Sequence, residues 1–403
     1  MRLPCGALLQ NRIAKAAMSE HLANRSHQPG RLLNTLYETW SNGGAGLLIS
    51  GNVMVDRSHL ESKSNVVIDG ESDRARLLEW VRSGSKGGNH FWAQLNHPGR
   101  QTPRHIADRP MAPSELEPIA LMRRARAFGV SRAMTELEIE RTIARFIETA
   151  TIAKEVGFTG VQIHGAHGYL VSQFLSPRAN RREDRWGGSL QNRARFLREI
   201  VGGIRAALGT AFPIGVKLNS SDFQKGGFDE SDAVQVLRWL EEDGADLVEI
   251  SGGSYESRAM FDLGESANVD GSKSREAYFL EFAKQLRAAG KGGVPLHGYR
   301  RVSKRKRDER SVGVRGARRG RNGAAVYEQS KCCARFDRRN DPACRIATDD
   351  SVVVHERWHD RGDDERGADV TFGERAEPVA EIWAFVDRVA CTLGGSEGLG
   401  SLT

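Results

Sequence analysis

The sequence lacks three features that mark whole classes of protein. No run approaches the roughly 18 consecutive apolar residues of a membrane-spanning helix, so such a span is excluded. The five cysteines are scattered without zinc or iron–sulfur spacing, which argues against a disulfide framework or a cluster. The first residues, Met1 to Leu9, lack the basic region and long apolar stretch of a signal peptide, so we expect a cytoplasmic protein.

The charge of the chain is unevenly distributed. The formal net charge of +7 and the pI of about 9.3 by themselves favour a nucleic-acid or membrane-surface partner. Residues 297–345 hold 16 lysines and arginines against 5 acidic residues, which leaves 43 basic and 47 acidic residues elsewhere. Because one segment carries the excess, we expect no nucleic-acid and no membrane partner. A nucleic-acid-binding protein that uses residues 297–345 is the alternative from another class.

Length and patterning indicate one large α/β barrel, a fold that spans roughly 200 to over 400 residues. Up to about Pro295, short apolar runs alternate with helical patterns, as in a parallel sheet covered by helices. The helical patterns are Glu136–Val156, Leu190–Leu208 and Ser231–Asp243. The candidate strands are Arg12–Ala17, Gly46–Gly51, Phe91–Leu95, Gly160–His164, Ile214–Leu218 and Asp246–Ser251. Six strands in order predict a (β/α)8 TIM barrel whose strands seven and eight are disrupted.

Two histidines follow the fourth candidate strand. His164 and His167 lie three residues apart where the strand gives way to a turn, and the carboxyl ends of barrel strands face the active site. Spacing alone leaves three interpretations open: structural histidines, two N–H donors to an oxygen that gains negative charge, or two metal ligands. The last would suit a metal-dependent hydrolase, but no clear third ligand and general base are nearby. We therefore expect no metal.

The residues around this pair resemble a known family. The run from His164 to Arg193, HGAHGYLVSQFLSPRANRREDRWGGSLQNR, is similar to the central signature of the Old Yellow Enzyme family of FMN-dependent ene-reductases. The resemblance covers roughly residues 5–295 and implies a (β/α)8 barrel. Other segments resemble the family's first three strands, its P-x-A-P-S loop and its fifth strand: Asn11–Met18, Gly46–Gly51, Ala93–Leu95 with His97–Arg100, Arg109–Ser114 and Gly215–Phe223.

The resemblance implies non-covalent FMN as cofactor and NAD(P)H as reductant. Gly51 would let the flavin ring approach closely, and Gln94 would hydrogen-bond the pyrimidine edge of the ring. Lys217 would place positive charge near N1 and the C2 carbonyl, which stabilises the anionic reduced flavin. The full set of cofactor-binding residues would be Ala17, Met18, Ser19, Gly51, Gln94 and Lys217.

The resemblance also implies a reaction on a small activated alkene, such as an α,β-unsaturated carbonyl compound. NAD(P)H would reduce FMN, and flavin N5 would pass hydride to the β-carbon of the substrate. His164 and His167 would bind the substrate oxygen, while Tyr169 would protonate the α-carbon. A homo-oligomer is compatible with this interpretation.

The sequence departs from the family pattern at two places. Ser19 stands where some bacterial members have a cysteine near flavin N5, so a weaker hydroxyl contact is expected. After Gly293–Leu296, the family's two phosphate-binding turns, in strands seven and eight, are replaced by a basic stretch without apolar periodicity.

A shifted reading frame accounts for the second departure. Codons for His297–Val302 can be read one base later as Met-Val-Thr-Gly-Gly, and the same shift through Ser311–Val326 permits further missing family elements. The sequence therefore predicts a barrel domain over residues 1–296 and an aberrant, frameshifted and poorly ordered segment over residues 297–403. As written, the chain is expected to have an open barrel edge and to hold FMN weakly or not at all.

Overall fold

The computed structural model describes residues 1–117, 127–252, 282, 294–300 and 353–354. Its strands are β1 (Ala14–Lys15), β2 (Leu47–Met54), β3 (Val66–Val67), β4 (His90–Asn96), β5 (Met111–Ala112), β6 (Arg132–Ala133), β7 (Gly160–Gly165), β8 (Ile214–Asn219), β9 (Leu247–Ser251), β10 (Leu296–Arg300) and β11 (Val353–Val354). Its helices are α1 (Arg31–Ser41), α2 (Arg74–Gly84), α3 (Glu136–Glu155), α4 (Leu170–Leu175), α5 (Leu190–Leu208) and α6 (Glu230–Glu242), and a short 3-10 helix covers Gly99–Gln101.

Eight parallel strands form a closed ring. In spatial order the ring runs β1, β2, β4, β7, β8, β9, β10, β11 and back to β1, while β3 extends the sheet beside β2. The six predicted strands correspond to β1, β2, β4, β7, β8 and β9, with ends that differ by a few residues. All strands of the ring point the same way, so their carboxyl ends meet at one mouth.

The expected open edge between the sixth and first strands is wrong. β10 pairs in parallel with β9 through three residues. β11 pairs with β10 on one side, and on the other side it pairs with β1 through a single residue pair, Lys15 with Val354. Strand pairing uses backbone N–H and C=O groups that almost every residue carries, so it does not require the family's own strand sequences. β10 also crosses the predicted domain boundary after Leu296; apart from 297–300 and 353–354, residues 297–403 lie outside the described residues.

Apolar side chains fill both sides of the ring. A large outer cluster packs the sheet against the helices, with Phe146 of α3 and Phe196 of α5 at 0% exposure. Inside the ring, Trp92 is the largest side chain, and Leu3 and Leu9 pack in the same cluster. Trp92 fills the space that neighbouring strands leave open, because a Cβ added at Gly160 would lie 2.5 Å from its ring.

The predicted helices form with short-range end signals. Thr135 begins α3 in a capping box with Glu138, in which each side chain accepts a hydrogen bond from the other residue's backbone N–H. α3 and α6 correspond to the predicted patterns within a residue or so, and α5 matches the predicted Leu190–Leu208. Among the described helices, none combines the length and the apolar character needed to cross a membrane.

Candidate active site

Three polar side chains lie in a row across the mouth of the barrel. His164 of β7 pairs in register with Lys217 of β8, and Lys217 pairs with Glu249 of β9. Side chains of residues paired in register on adjacent strands lie on the same face of a sheet. All three are buried, which is unusual for two charged groups and requires that they have partners.

Lys217 and Glu249 satisfy each other. The Lys217 ammonium lies 2.9 Å from Glu249 Oε1, and the amide of Gln162 donates to Glu249 Oε2 at 2.9 Å. The amide of Gln94 in turn donates to Gln162 Oε1 at 2.7 Å. A series of side-chain contacts through Gln162 and Glu249 thus links two of the predicted cofactor residues, Gln94 and Lys217. Sequence reasoning missed Glu249, although an acidic residue within an otherwise apolar strand was a signal.

The two histidines meet at the carboxyl end of β7. His164 Nε2 lies 3.2 Å from His167 Nδ1, and His167 Nε2 lies 2.7 Å from the hydroxyl of Ser251. His167 has a φ of 62°, a left-handed conformation that turns its ring back toward His164. Burial, followed by the nearby charges of His167 and Lys217, lowers the pKa of His164 well below its usual range, so its ring is neutral.

Asn52 on β2 determines which nitrogen of His164 carries hydrogen. Its Oδ1 lies 2.9 Å from His164 Nδ1, while its Nδ2 donates to Glu61 Oε2 at 2.9 Å. Because the carboxylate of Glu61 can only accept, the amide oxygen of Asn52 must face His164. The neutral His164 ring therefore carries its hydrogen on Nδ1 and accepts at Nε2 from His167.

Tyr169 points its hydroxyl at the same carboxylate. It donates to Glu61 Oε1 at 2.9 Å, and the hydroxyl of Ser19 donates to Glu61 Oε2 at 2.9 Å. The ring centroids of Tyr169 and His164 are 4.7 Å apart, and the two ring planes meet at 65°. The two histidines, Tyr169 and Ser19 are therefore brought together, and Glu61, which sequence reasoning missed, joins them from the loop after β2.

Gly51 lies where the backbones of two segments approach closely. A Cβ there would lie 2.3 Å from both Met18 O and Glu20 Oε2, so no side chain fits. Its N–H donates to Glu20 Oε1 at 3.0 Å, and the hydroxyl of Tyr37 donates to the same carboxylate. The ammonium of Lys15 lies 3.9 Å from the same oxygen of Glu20. Burial lowers the pKa of Lys15 to about 8, although the negative charge of Glu20 opposes that effect.

The remaining predicted cofactor residues lie at the end of the first strand. Ala17 is buried, whereas Met18 is 41% exposed beside the mouth. Ser19 hydrogen-bonds Glu61, so its hydroxyl is already directed to a carboxylate. The expected contact of Ser19 with a flavin stays a prediction.

A separate buried cluster behind the mouth contains two histidines and a carboxylate. His59 Nδ1 lies 3.1 Å and His97 Nε2 lies 3.6 Å from Asp56 Oδ2, and Arg145 also donates to that oxygen. Burial lowers the pKa of His97 to about 4. Burial alone would raise the pKa of Asp56, but the hydrogen bonds from His59 and Ser58, together with the nearby His97 ring, hold it well below its usual range.

The hydrogen positions in this cluster oppose metal binding. The other ring nitrogens accept backbone N–H groups: His97 Nδ1 from Gly99 at 3.0 Å and His59 Nε2 from Met111 at 3.4 Å. The nitrogens that face Asp56 must therefore carry the hydrogens, whereas a metal-bound histidine has its hydrogen on the opposite nitrogen. In the described part of the chain this is the group of three best placed for a metal, and it is built as a network of hydrogen bonds to a carboxylate.

Comparison with known proteins decides the family. Residues 6–298 match the model of the NADH:flavin oxidoreductase / NADH oxidase family. The chain belongs to this family. It is 37% identical over 318 residues to the NADH-dependent flavin oxidoreductase iliE of Hypocrea jecorina, an alignment that covers 73% of this chain and 77% of the relative. It is 34% identical to the protein of the same name from a Neonectria species, of which the chain spans only 41%.

Solved structures agree on the fold. A 2-naphthoyl-CoA reductase in complex with 2-naphthoyl-CoA has a TM-score of 0.66 and 27% identity, covering 73% of this chain and 45% of that one. An Old Yellow Enzyme homologue from Zymomonas mobilis has a TM-score of 0.60 and 23% identity, covering 74% and 80%. The predicted (β/α)8 barrel and the predicted class, a flavin-dependent oxidoreductase with FMN and NAD(P)H, are confirmed. The hydrolase alternative is thereby wrong.

Two polar residues of the mouth offer groups that a flavin ring requires. Gln94 on β4 offers an amide and Lys217 on β8 offers a cation, whereas the space beside Gly51 is filled by the backbone oxygen of Met18 and the carboxylate of Glu20. Glu249 changes one expectation, because the positive charge of Lys217 is balanced by a carboxylate 2.9 Å away. The phosphate-binding turns expected after strands seven and eight lie outside the described residues.

Proposed function

We propose that the chain reduces small activated alkenes, such as α,β-unsaturated ketones, at the mouth formed by β7, β8 and β9. The observation that carries this proposal is the direct grouping of His164, His167 and Tyr169. Nε2 of His164 lies 3.2 Å from Nδ1 of His167, and the centroid of the Tyr169 ring lies 4.7 Å from the centroid of the His164 ring. Such a grouping offers N–H donors for a substrate oxygen and an O–H donor for a nearby carbon.

The substrate oxygen would take the place of His164 Nε2 as the acceptor for His167. His167 is half-buried, so a ligand can reach it, and its Nδ1 hydrogen already points toward the space between the two rings. A donated N–H withdraws electron density from an enone and makes its β-carbon electrophilic. His164 becomes a second donor only when Asn52 turns its amide, because Asn52 Oδ1 now holds the His164 hydrogen on Nδ1.

Tyr169 would supply the proton. Its hydroxyl is buried beside the histidines and carries a hydrogen that it donates to Glu61. A neutral phenol next to a bound enone can deliver this hydrogen to the α-carbon as negative charge develops there.

Gln94, Lys217 and the backbone around Gly51 and Met18 would hold FMN. When bound, FMN supplies the hydride exchange between NAD(P)H and the alkene. The Lys217–Glu249 pair would present the ring with an oriented dipole instead of an isolated cation.

An anaerobic assay tests the proposal. The full chain, loaded with FMN, is expected to oxidise NADH when 2-cyclohexenone is added and to release cyclohexanone. Cyclohexene, which has no oxygen for the histidines to bind, serves as the matched control and should not be reduced. NADH consumption that depends on oxygen alone, with no reduction of the enone, would overturn the proposal.

A further inference from the structure

We propose that Glu61 is the proton relay of Tyr169: it returns a proton to the phenol oxygen after Tyr169 has protonated the substrate. The inference rests on the proposed function, because it concerns the step that follows proton donation by Tyr169. It extends that function to a residue outside the motif around the histidines.

The contacts of Glu61 place it next to the oxygen that must regain a proton. Its Oε1 accepts the Tyr169 hydroxyl at 2.9 Å. Its Oε2 accepts from the Ser19 hydroxyl and the Asn52 amide, each at 2.9 Å, and from the Asn65 amide at 3.4 Å. Among the described residues, Tyr169 is the donor to one carboxylate oxygen, and three donors hold the other in place.

Glu61 differs from two other carboxylates near the mouth, Glu249 and Glu20. Glu249 is paired with Lys217 at 2.9 Å, and Glu20 lies 3.9 Å from Lys15. The donors to Glu61 in the described structure are all uncharged hydroxyls and amides. Glu61 can therefore gain and lose a proton without breaking an ion pair, whereas proton uptake by the other two would leave a buried lysine without its counter-charge.

Exposure determines the direction of the relay. Tyr169 is 2% exposed, so bulk water does not reach its hydroxyl. Glu61 is only partly buried and can exchange protons with solvent. The pair thus connects a buried donor to water through a single hydrogen bond of 2.9 Å.

The protons balance over one turnover. The Tyr169 O–H bond breaks as the α-carbon gains its hydrogen, which leaves a phenolate. Glu61 takes a proton from water and transfers it to the phenolate oxygen, so that the phenol and the carboxylate are both restored. The net change is one proton from solvent added to the substrate carbon.

Glu61→Gln separates the relay from a structural role. The variant keeps the shape of the side chain but cannot carry the proton, and Tyr169 still has its own hydrogen at the start. Because Glu61 also orients Asn52, the first reduction of 2-cyclohexenone by the pre-reduced variant serves as the internal reference. We expect steady-state turnover to fall roughly 10- to 100-fold more than this first reduction, since only later turnovers need the returned proton. Glu183→Gln, the same change at an exposed site, should alter neither rate.

Glu61→Ala with added formate provides a second measurement in case Glu61→Gln folds poorly. Formic acid can enter the space left by the side chain, and turnover should rise with its concentration in this variant but not in Tyr169→Phe. Equal losses in the first and later turnovers of Glu61→Gln, or no rescue by formate, would overturn the relay. If Tyr169→Phe itself reduces the enone at the normal rate, the proton donor of the proposed function is wrong, and the relay is wrong with it.

Discussion

A single amide, Asn52, links the acidic and the basic side chains of the site. Its nitrogen faces Glu61 and its oxygen faces His164, at 2.9 Å each, so the hydrogen bond to Glu61 sets the orientation of the amide. The amide in turn sets the hydrogen on the His164 ring, which burial keeps neutral. The state of the histidine pair therefore depends on a carboxylate that does not contact either ring.

This dependence predicts the tautomer of His164. Nitrogen NMR of the protein labelled at histidine should show His164 as a neutral ring with its hydrogen on Nδ1, and lowering the pH toward 6 should not protonate it, because its pKa lies well below the usual value of about 6.5. Asn52→Leu removes the acceptor and should release the hydrogen to Nε2. A protonated ring near neutral pH, or a hydrogen on Nε2 in the unaltered protein, would contradict the account.

The sequence made the motif residues predictable but not their partners. His164, His167 and Tyr169 lie within six consecutive residues, so one resemblance identifies them together. Glu61, Asn52 and Glu249 come from a loop and two other strands, and their roles arise from strand register and loop path, which no local pattern encodes. The pairing of Lys217 with Glu249 is an example, since only the alignment of β8 with β9 brings them together.

At the scale of elements, the approach of β2 to the segment after β1 depends on Gly51. Gly51→Ala would place a Cβ 2.3 Å from the backbone oxygen of Met18, which cannot move aside without shifting the chain. We expect a loss of about 1–3 kcal/mol in the free energy of unfolding, together with weaker FMN binding. Chemical denaturation and flavin fluorescence titration measure both.

Gly202→Ala is the matched control for that change. Gly202 lies within α5 and has nothing within 4 Å of an added Cβ, so alanine should leave stability unchanged or raise it by about 0.5–1 kcal/mol. Equal stability of Gly51→Ala and the unaltered protein would show that the two segments are not in close contact.

The cluster around Asp56 connects the loop after β2, the end of β4 and α3, and it makes the fold sensitive to acid. The pKa of His97 is about 4 in the folded chain and near 6.5 when unfolded, so the unfolded state binds more protons between these values. The depressed pKa of Asp56 acts in the same direction. The free energy of unfolding should reach its highest value above pH 6.5 and decrease as the pH drops toward 4.

Denaturation at a series of pH values measures this loss. His97→Gln keeps a side chain that can hydrogen-bond but cannot be protonated, so its smaller stability should vary less across the same range. If the slope between pH 6.5 and 4 is the same in both proteins, His97 is not the group responsible.

At the scale of the whole molecule, the ring of strands closes even though the sequence after Leu296 departs from the family. The family match ends at residue 298, close to the predicted break, and β10 and β11 complete the ring through backbone pairing. Closure was not predictable from side-chain patterns, because hydrogen bonds between strands need few specific side chains. Phosphate binding is different, since it requires turns of defined backbone shape.

The chain as written should therefore bind FMN more weakly than a chain whose reading frame is restored after Leu296. We expect a difference in Kd of at least about tenfold, equivalent to about 1.4 kcal/mol, because the restored chain regains the two phosphate-binding turns. Fluorescence titration with FMN and with riboflavin, which lacks the phosphate, measures it. Equal Kd values for FMN in the two chains would refute a role for a shifted frame, and resequencing the codons for Val294 to Val302 tests its origin.

In the proposed reaction the reduced flavin supplies hydride to an activated alkene, the two histidines bind the oxygen of the alkene, and Tyr169 supplies the proton. The most direct measurement is anaerobic stopped-flow absorbance of the FMN-loaded chain and of Tyr169→Phe, each reduced with NADH and then mixed with 2-cyclohexenone. We expect equal rates of flavin reduction by NADH, rapid reoxidation by the enone in the unaltered protein, and reoxidation slower by roughly 10²–10⁴-fold in Tyr169→Phe. Equal reoxidation rates in the two proteins, or none with the enone while oxygen still reoxidises the flavin, would contradict it.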